Sequence, residues 1–201
     1  MKTNEPITDY AKLDPNASYS FLDYMRWQFK ERVELIKGKL YKMSPAANIN
    51  HQMVSANISR LLFNYFFNKP CRVFTAPFDV RLFPKSDGKD QTVVQPDLCV
   101  VCDEKKLDKQ GCVGPPDLIV EILSPSNSQH DLNTKFNLYQ EATVQEYWIV
   151  DTQNKTLIVY TLNNGKYQGS KIYTEEETFN SVLFPELNIA MKEVFLHVKE
   201  Y

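Results

Sequence analysis

Asp117-Leu118-Ile119-Val120-Glu121-Ile122-Leu123 is an apolar run broken from within by a single acid, and Gln95-Pro96-Asp97-Leu98-Cys99-Val100-Val101 sets a second acid at the head of another. Short apolar runs bounded by turn residues read as strands buried on both faces. A carboxylate buried alone in such a strand costs roughly several kcal/mol or stays protonated, so a cation is expected nearby. Two carboxylates converging at the end of a sheet are good ligands for a hard divalent ion such as Mg2+ or Mn2+. The residues alone leave a plainer role open: Asp97 caps a turn at a strand start, and Glu121 faces a polar edge.

Working outward, Ser124-Pro125-Ser126-Asn127-Ser128 is a turn, and Ser128 with Asp131 fits the S-x-x-D start of a helix. That helix is expected to run to about Glu141, with Leu132, Phe136 and Tyr139 on its apolar stripe. Glu146-Tyr147-Trp148-Ile149-Val150-Asp151 is the next strand, and Leu157 to Tyr160 pairs with it as a hairpin. Asn163-Asn164-Gly165 is a tight turn, and the sequence ends on a further strand and a short helix near Val194-Phe195.

Upstream, Val54, Ile58, Leu61, Leu62, Tyr65 and Phe66 recur at helical spacing between about Asn50 and Phe67. Arg32 to Ile36 and Lys39 to Met43 form a hairpin about Lys37-Gly38, ended by Ser44-Pro45. Phe21, Leu22, Met25 and Phe29 predict a helix with Ser20 as its cap. Arg72 to Thr75 and Phe78 to Leu82 are strand-like, and Val93 to Val101 reads as one segment entering a strand. The order predicts an α/β unit with a central mixed sheet. Residues 1–16 are expected to be a flexible N-terminus, and 17–201 a single domain.

Composition narrows the possibilities. The chain has 201 residues, 43 % hydrophobic and 24 % charged, as in an ordinary soluble domain, so long disorder, coiled coil and collagen are excluded. No apolar run approaches the roughly 20 residues that span a bilayer. The net charge of −2 gives no general sign of a nucleic-acid partner. Locally, residues 26–42 hold six basic side chains against two acids, a net +4. With Trp27 and Tyr41 nearby, Lys37, Lys39 and Lys42 are candidates to track a phosphate backbone, or simply a solvated face. The start is polar and does not read as a signal peptide. Cys71, Cys99, Cys102 and Cys112 show no secreted-type spacing, so a cytoplasmic setting is expected. Cys99 and Cys102 read as two small buried hydrophobes rather than a zinc pair.

Lys135 is the candidate cation. At about 100° per residue it lies roughly 60° from Leu132, at the rim of the buried stripe, where a long side chain can reach a pocket. Spacing alone favours a surface pair with Asp131.

The ordered set of Pro96-Asp97, Glu121-Ile122-Leu123-Ser124, Asp131-x-x-x-Lys135-x-x-x-Tyr139 and Glu146-Tyr147-Trp148-Ile149-Val150-Asp151 resembles the Uma family, described as "putative restriction endonucleases". Glu34-Leu35-Ile36-Lys37-Gly38-Lys39-Leu40 and His51 extend the resemblance, which covers nearly all of residues 20–165. It implies membership of the PD-(D/E)xK nuclease superfamily. It also implies a restriction-endonuclease-like αβββαβ core with an N-terminal helix and hairpin and a C-terminal β-hairpin added, and metal-dependent hydrolysis of DNA phosphodiesters. Asp97 matches the motif Asp and Glu121 the first acid of (D/E)xK, whereas Leu123 stands where the motif has Lys. Lys135 occupies the position of a lysine displaced onto the following helix.

On this reading Asp97, Glu121 and the Ile122 backbone carbonyl hold Mg2+ or Mn2+, and Lys135 orients water or meets charge developing on phosphate. Glu34, His51, Asp131 and Tyr139 are auxiliary candidates: Glu34 near the metal shell or as an exposed hairpin acid, His51 on phosphate or packed at a helix start. Glu146 and Asp151 are expected to be structural. The partner is nucleic acid, and a symmetric homodimer is compatible with cutting both strands. Two alternatives differ in class: a catalytically silent nuclease-fold module binding DNA or a partner protein, and a carboxylate-pair hydrolase of sugars, which gives Lys135 no role.

Overall fold

The computed structural model describes residues 7–43, 48–123 and 129–199, excepting the side chains of residues 129–131. Helix α1 (Phe21–Tyr24) precedes the hairpin of β1 (Val33–Ile36) and β2 (Lys39–Lys42). Helix α2 (Ile49–Phe66) leads into β3 (Arg72–Thr75), β4 (Val80–Arg81), β5 (Val93–Val94) and β6 (Leu98–Val101). A short hairpin of β7 (Leu107–Asp108) and β8 (Gly111–Val113) follows. Then come β9 (Leu118–Leu123), α3 (Gln129–Glu141) and β10 (Glu146–Asp151). Strands β11 (Thr156–Asn163), β12 (Lys166–Gly169), β13 (Tyr173–Thr174), β14 (Thr178–Asn180) and β15 (Asn188–Ala190) precede α4 (Met191–Val194).

Two sheets organise the chain. The larger runs β12-β11-β10-β9-β6-β3, with β13 on β11; the other runs β2-β1-β5-β4-β8-β7. In the larger sheet β3, β6 and β9 pair antiparallel, while β9 and β10 are parallel and joined through α3. Parallel neighbours require such a crossover. The series α2-β3-β6-β9-α3-β10 is the expected αβββαβ core.

Periodicity explains the helices. Val54, Ile58, Leu62 and Phe66 sit four apart and are buried against one face of the larger sheet. Asn48 caps α2 by accepting from the His51 N–H at 2.9 Å, and Asn50 donates to the Lys199 carbonyl at 2.6 Å. On the opposite face, Leu138 and Tyr139 of α3, and Ala142 just after it, pack with Ile119, Cys99 and Tyr147, and with Ile36, Val80 and Val94 of the smaller sheet. The core is therefore two layers, one on each side of the larger sheet. The Ser128–Asp131 helix start and the Ser44-Pro45 hairpin end lie outside the described residues.

Three expectations are corrected. The first helix begins at the cap, where Asp23 accepts from the Ser20 N–H, but it ends at Tyr24. Phe29 instead stacks on Trp27 at 5.5 Å, Ile7 bridges Trp27, and Leu22 and Met25 are exposed. Aromatic packing outweighs the helical spacing here.

Val93 to Val101 is not one strand: β5 belongs to the smaller sheet and β6 to the larger. Pro96, which has no N–H for a ladder, lies in the crossing between them.

Finally, Cys102 is not a free hydrophobe but is disulfide-bonded to Cys71, while Cys99 and Cys112 are free and buried. The Arg72–Val101 register brings the two partners together. The cysteines therefore no longer argue for a reducing compartment. Among the described residues no helix is long and apolar enough to cross a membrane.

Candidate active site

Side chains alternate between faces along a strand. In β9, Ile119 faces the α3 side and Leu118, Val120 and Ile122 face the α2 side, so Glu121 is presented toward α3. The β6–β9 register pairs Leu98 with Val120, which sets Asp97 opposite Glu121 at the next step. The structure thus brings the two acids singled out in the sequence to neighbouring strands. Asp97 is fixed from both ends: its Oδ2 accepts from the Ile122 N–H at 2.8 Å, and its carbonyl accepts from the Ala76 N–H at 2.9 Å.

Lys135 reaches this pair from α3. Its Nζ stands 2.9 Å from Glu121 Oε1 and 3.1 Å from Glu34 Oε1, and its side chain is only 15 % exposed. Lys135 is thus set among buried acids rather than on the surface; the Asp131 side chain lies outside the described residues. Leu123 follows Glu121 by two positions and shares its face. A lysine there and the lysine on α3 therefore address one side of β9.

Tyr139, one turn after Lys135, donates from its hydroxyl to the same Glu121 Oε1 at 2.6 Å. The Tyr139 ring packs edge-on against Tyr147 at 5.1 Å, which fixes the hydroxyl's aim.

Glu34 joins the site from β1 and is buried, so it is not an exposed hairpin acid. Its Oε1 accepts from the Gln95 N–H at 2.8 Å. Gln95 was not singled out in the sequence. Its side chain accepts from Arg32 at 2.8 and 2.9 Å and donates to Asp79 Oδ1 at 2.7 Å and to the Tyr24 hydroxyl at 3.1 Å. The residue thus ties α1 to the smaller sheet behind Glu34. The available signal was an amide directly after the apolar pair Val93-Val94 and just before Pro96.

His51, in the first turn of α2, comes from the other face of the sheet and rounds its end. Its Nε2 lies 3.3 Å from Asp97 Oδ2.

The electrostatics follow from this crowding. Burial, then Asp97 and Glu34, push the Glu121 carboxyl up to about 7 against the lowering effect of Lys135. Burial pulls the Lys135 ammonium down, but Glu121 and Glu34 outweigh it and hold it above the ordinary lysine range. Burial lowers His51 too, yet Asp97, Glu121 and the Ile122 backbone bring it above its usual value. Burial and Glu121 keep the Tyr139 phenol well above its ordinary range. Three acids thus face one lysine and one histidine. Among the described residues no three His, Cys, Asp or Glu side chains are already gathered as a metal cage; Lys135 stands among the acids.

The basic hairpin is less open than its composition implies. Lys37 pairs with Glu141 at 2.6 Å and Lys42 with Glu31 at 2.8 Å, while Lys39 donates to the carbonyls of Asn16 and Ala17 at 2.8 and 3.0 Å. Glu146 lies on the other face of the sheet from Glu121. Asp151 caps the turn after β10 by accepting from the Gln153 and Asn154 N–H groups at 2.8 and 3.1 Å.

An αβββαβ core carrying paired acids at a strand end defines a restriction-endonuclease-like protein. The Uma2 family, described as "Putative restriction endonuclease", matches residues 21–192, and the chain belongs to it. It is 26 % identical over 167 residues to the "Uncharacterized protein slr1290" of Synechocystis sp., covering 82 % of each chain. Its fold is similar to the crystal structure of "a putative nuclease belonging to DUF820" from Anabaena variabilis, with a TM-score of 0.69 and 18 % identity. That match covers 88 % of this chain and 97 % of the other.

Proposed function

We propose that this protein is a metal-dependent endonuclease that hydrolyses DNA phosphodiester bonds. The observation that carries the reading is Lys135 held 2.9 Å from Glu121, on the face of β9 that Asp97 also addresses. Family membership and the fold likeness support it.

The donor chemistry fits a hard divalent ion. Asp97, Glu121 and the Ile122 carbonyl are oxygen donors, and the excess of acid that forces Glu121 up to about 7 is what a cation relieves. These groups would hold Mg2+ or Mn2+, which when bound acidifies water and polarises phosphate.

The chain's own residues do the rest. Glu34 and Tyr139 fix Lys135 and Glu121 relative to one another. Freed from part of its carboxylate contact, the Lys135 ammonium is a preorganised charge for the phosphoryl oxygens. Asp97 and Lys135 are the more exposed members, at 19 % and 15 %, so the phosphate approaches from their side. The expected setting is where DNA is met, the cytoplasm.

Cleavage assays with single- and double-stranded DNA and RNA, in Mg2+ or Mn2+, test the reading. The wild type should cut DNA and Glu121→Gln should not. Lys37, Lys39 and Lys42 must exchange their present partners for phosphate. Replacing all three by Ala should flatten the salt dependence of DNA binding by roughly one log unit per lost contact. A wild type that holds metal yet cuts no nucleic acid would favour the silent binding module instead.

A further inference from the structure

Arg32 differs from the hairpin lysines in how its charge is met. Lys37 and Lys42 each pair with a glutamate. Arg32 is exposed, and among the described residues no carboxylate pairs with it. Its guanidinium donates instead from Nε and Nη2 to Gln95 Oε1, a neutral oxygen, at 2.9 and 2.8 Å. A neutral acceptor orients the group and leaves its charge uncompensated.

The Gln95 amide is itself fixed. Its Nε2 donates to Asp79 Oδ1 at 2.7 Å and to the Tyr24 hydroxyl at 3.1 Å, so the amide cannot turn over without losing both. The Arg32 fork is therefore held in advance, with the edge formed by its two terminal nitrogens left over. That edge matches two oxygens of a phosphate.

The pair stands beside the candidate active site. The Met43 N–H donates to the Arg32 carbonyl at 3.0 Å, which carries the β1–β2 ladder one step past Val33. Side chains two apart share a face, so Arg32 is on the side of β1 that presents Glu34 to Lys135. It lies roughly 6.6 Å further along the strand, of the order of the spacing between successive phosphates. Lys37 meets Glu141 and Glu34 meets Lys135, so β1 runs against α3 and Arg32 continues the series toward the start of α3. Gln95 likewise stands two residues before Asp97. Three acids at the site repel a polyanion, and a fixed cation one step out offsets that repulsion.

We propose that Arg32 binds the phosphate next to the one being cleaved, with Gln95 as its positioning residue, so that the substrate is a linkage flanked by a second phosphodiester. The inference rests on the nuclease reading above and adds to it a binding residue and a requirement on the substrate.

The probe is a short DNA strand in which the linkage beside a chosen phosphodiester is either an ordinary phosphate or an uncharged methylphosphonate, on each side in turn. Binding is measured in the Glu121→Gln background, where no probe is cut, and cleavage is measured in the wild type. Neutralising one flank should weaken binding about 10-fold, and in the wild type it should raise KM more than it lowers kcat. Adding Arg32→Gln should weaken binding of ordinary DNA by a similar factor, lower its salt slope by roughly one, and abolish the methylphosphonate effect. Lys192→Gln removes the same charge from an exposed position on α4 and should keep that effect.

The KM comparison in the wild type needs no variant to fold. A wild type that cuts DNA with one KM for every probe overturns the role of Arg32 and leaves the nuclease reading in place. An Arg32→Gln protein that still discriminates between the probes does the same, because Arg32 is then only a tie to Gln95. A wild type that neither binds nor cuts nucleic acid overturns both.

Discussion

Glu121 and Glu146 are buried carboxylates on neighbouring parallel strands, β9 and β10, and they face opposite sides of the same sheet. Their surroundings differ in kind. Glu146 is met by uncharged donors: Trp148 Nε1 at 2.7 Å, Ser181 Oγ at 2.8 Å, and the Val182 and Leu183 N–H groups, each at 2.9 Å. Every contact is a hydrogen bond, and the three from Ser181, Val182 and Leu183 tie the C-terminal segment to the sheet. Glu121 has one lysine, one phenol and two further acids around it. Burial alone therefore does not mark a chemical site. A carboxylate satisfied by neutral donors is a strut, and one crowded by charges of both signs is poised to exchange partners.

Four experiments sharpen or break that contrast. The largest effect on the fold is expected at the strut. Glu146→Ala leaves buried donors without an acceptor and should cost about 3–5 kcal/mol, measured by denaturant unfolding. A loss below about 1 kcal/mol would show that the C-terminal segment does not depend on it.

The largest effect on activity is expected from Lys135→Ala, with turnover reduced by ~10²–10³ while Mn2+ is still bound. Lys135→Arg should rescue poorly, because a broad planar guanidinium does not replace a compact ammonium between two carboxylates. Leu123→Lys in the Lys135→Ala background should restore part of the rate, since position 123 shares the face of Glu121. Full activity in Lys135→Ala would remove the lysine from the mechanism.

The third experiment adds metal. At about 100 times its Kd, Mn2+ should stabilise the protein by about 2.7 kcal/mol, roughly 5–10 °C in Tm. Asp97→Asn should abolish the rise, and Glu146→Gln should not. Equal shifts in wild type and Asp97→Asn would count against a metal at this site.

The smallest effect is a slope with pH. The Glu121 carboxyl is raised in the folded state to about 7 from an ordinary 4.5. The folded protein thus binds the proton more tightly than the unfolded one. That contribution is fully present below about pH 4.5 and is lost as pH rises through about 7. His51, also raised, adds a loss of the same sign above its usual pKa of 6.5. Stability of the metal-free protein should fall from pH 5 to 8 at this site, and Glu121→Gln should flatten the fall. A slope unchanged in that variant would place its origin elsewhere.

Much of this was readable without coordinates where the signal is local. The strand carrying Glu121, the helix carrying Lys135 and Tyr139, and the α2 stripe are periodicities that a short window contains. An acid inside an apolar strand announces an unmet electrostatic need, whatever satisfies it. The candidacy of Lys135 was legible from the resemblance, with Leu123 two residues after Glu121. The sequence also offered Glu34 and His51 as auxiliary candidates, each against a strong bland alternative.

Only the tertiary structure brought Glu34 beside Lys135 and His51 beside Asp97. Glu34 is buried because β1 pairs with β5, and the Gln95 crossing then brings β5 beside the acid pair. Cys71 meets Cys102, and Asp97 meets Glu121, through antiparallel registers joining residues 31 and 24 positions apart. Val93-Val94 and Leu98 to Val101 look like one strand in sequence, yet they enter different sheets on either side of Pro96. Propensity and periodicity report on the few residues around a position. Register and sheet membership depend on which distant surface each strand buries, and that competition is settled by the whole chain.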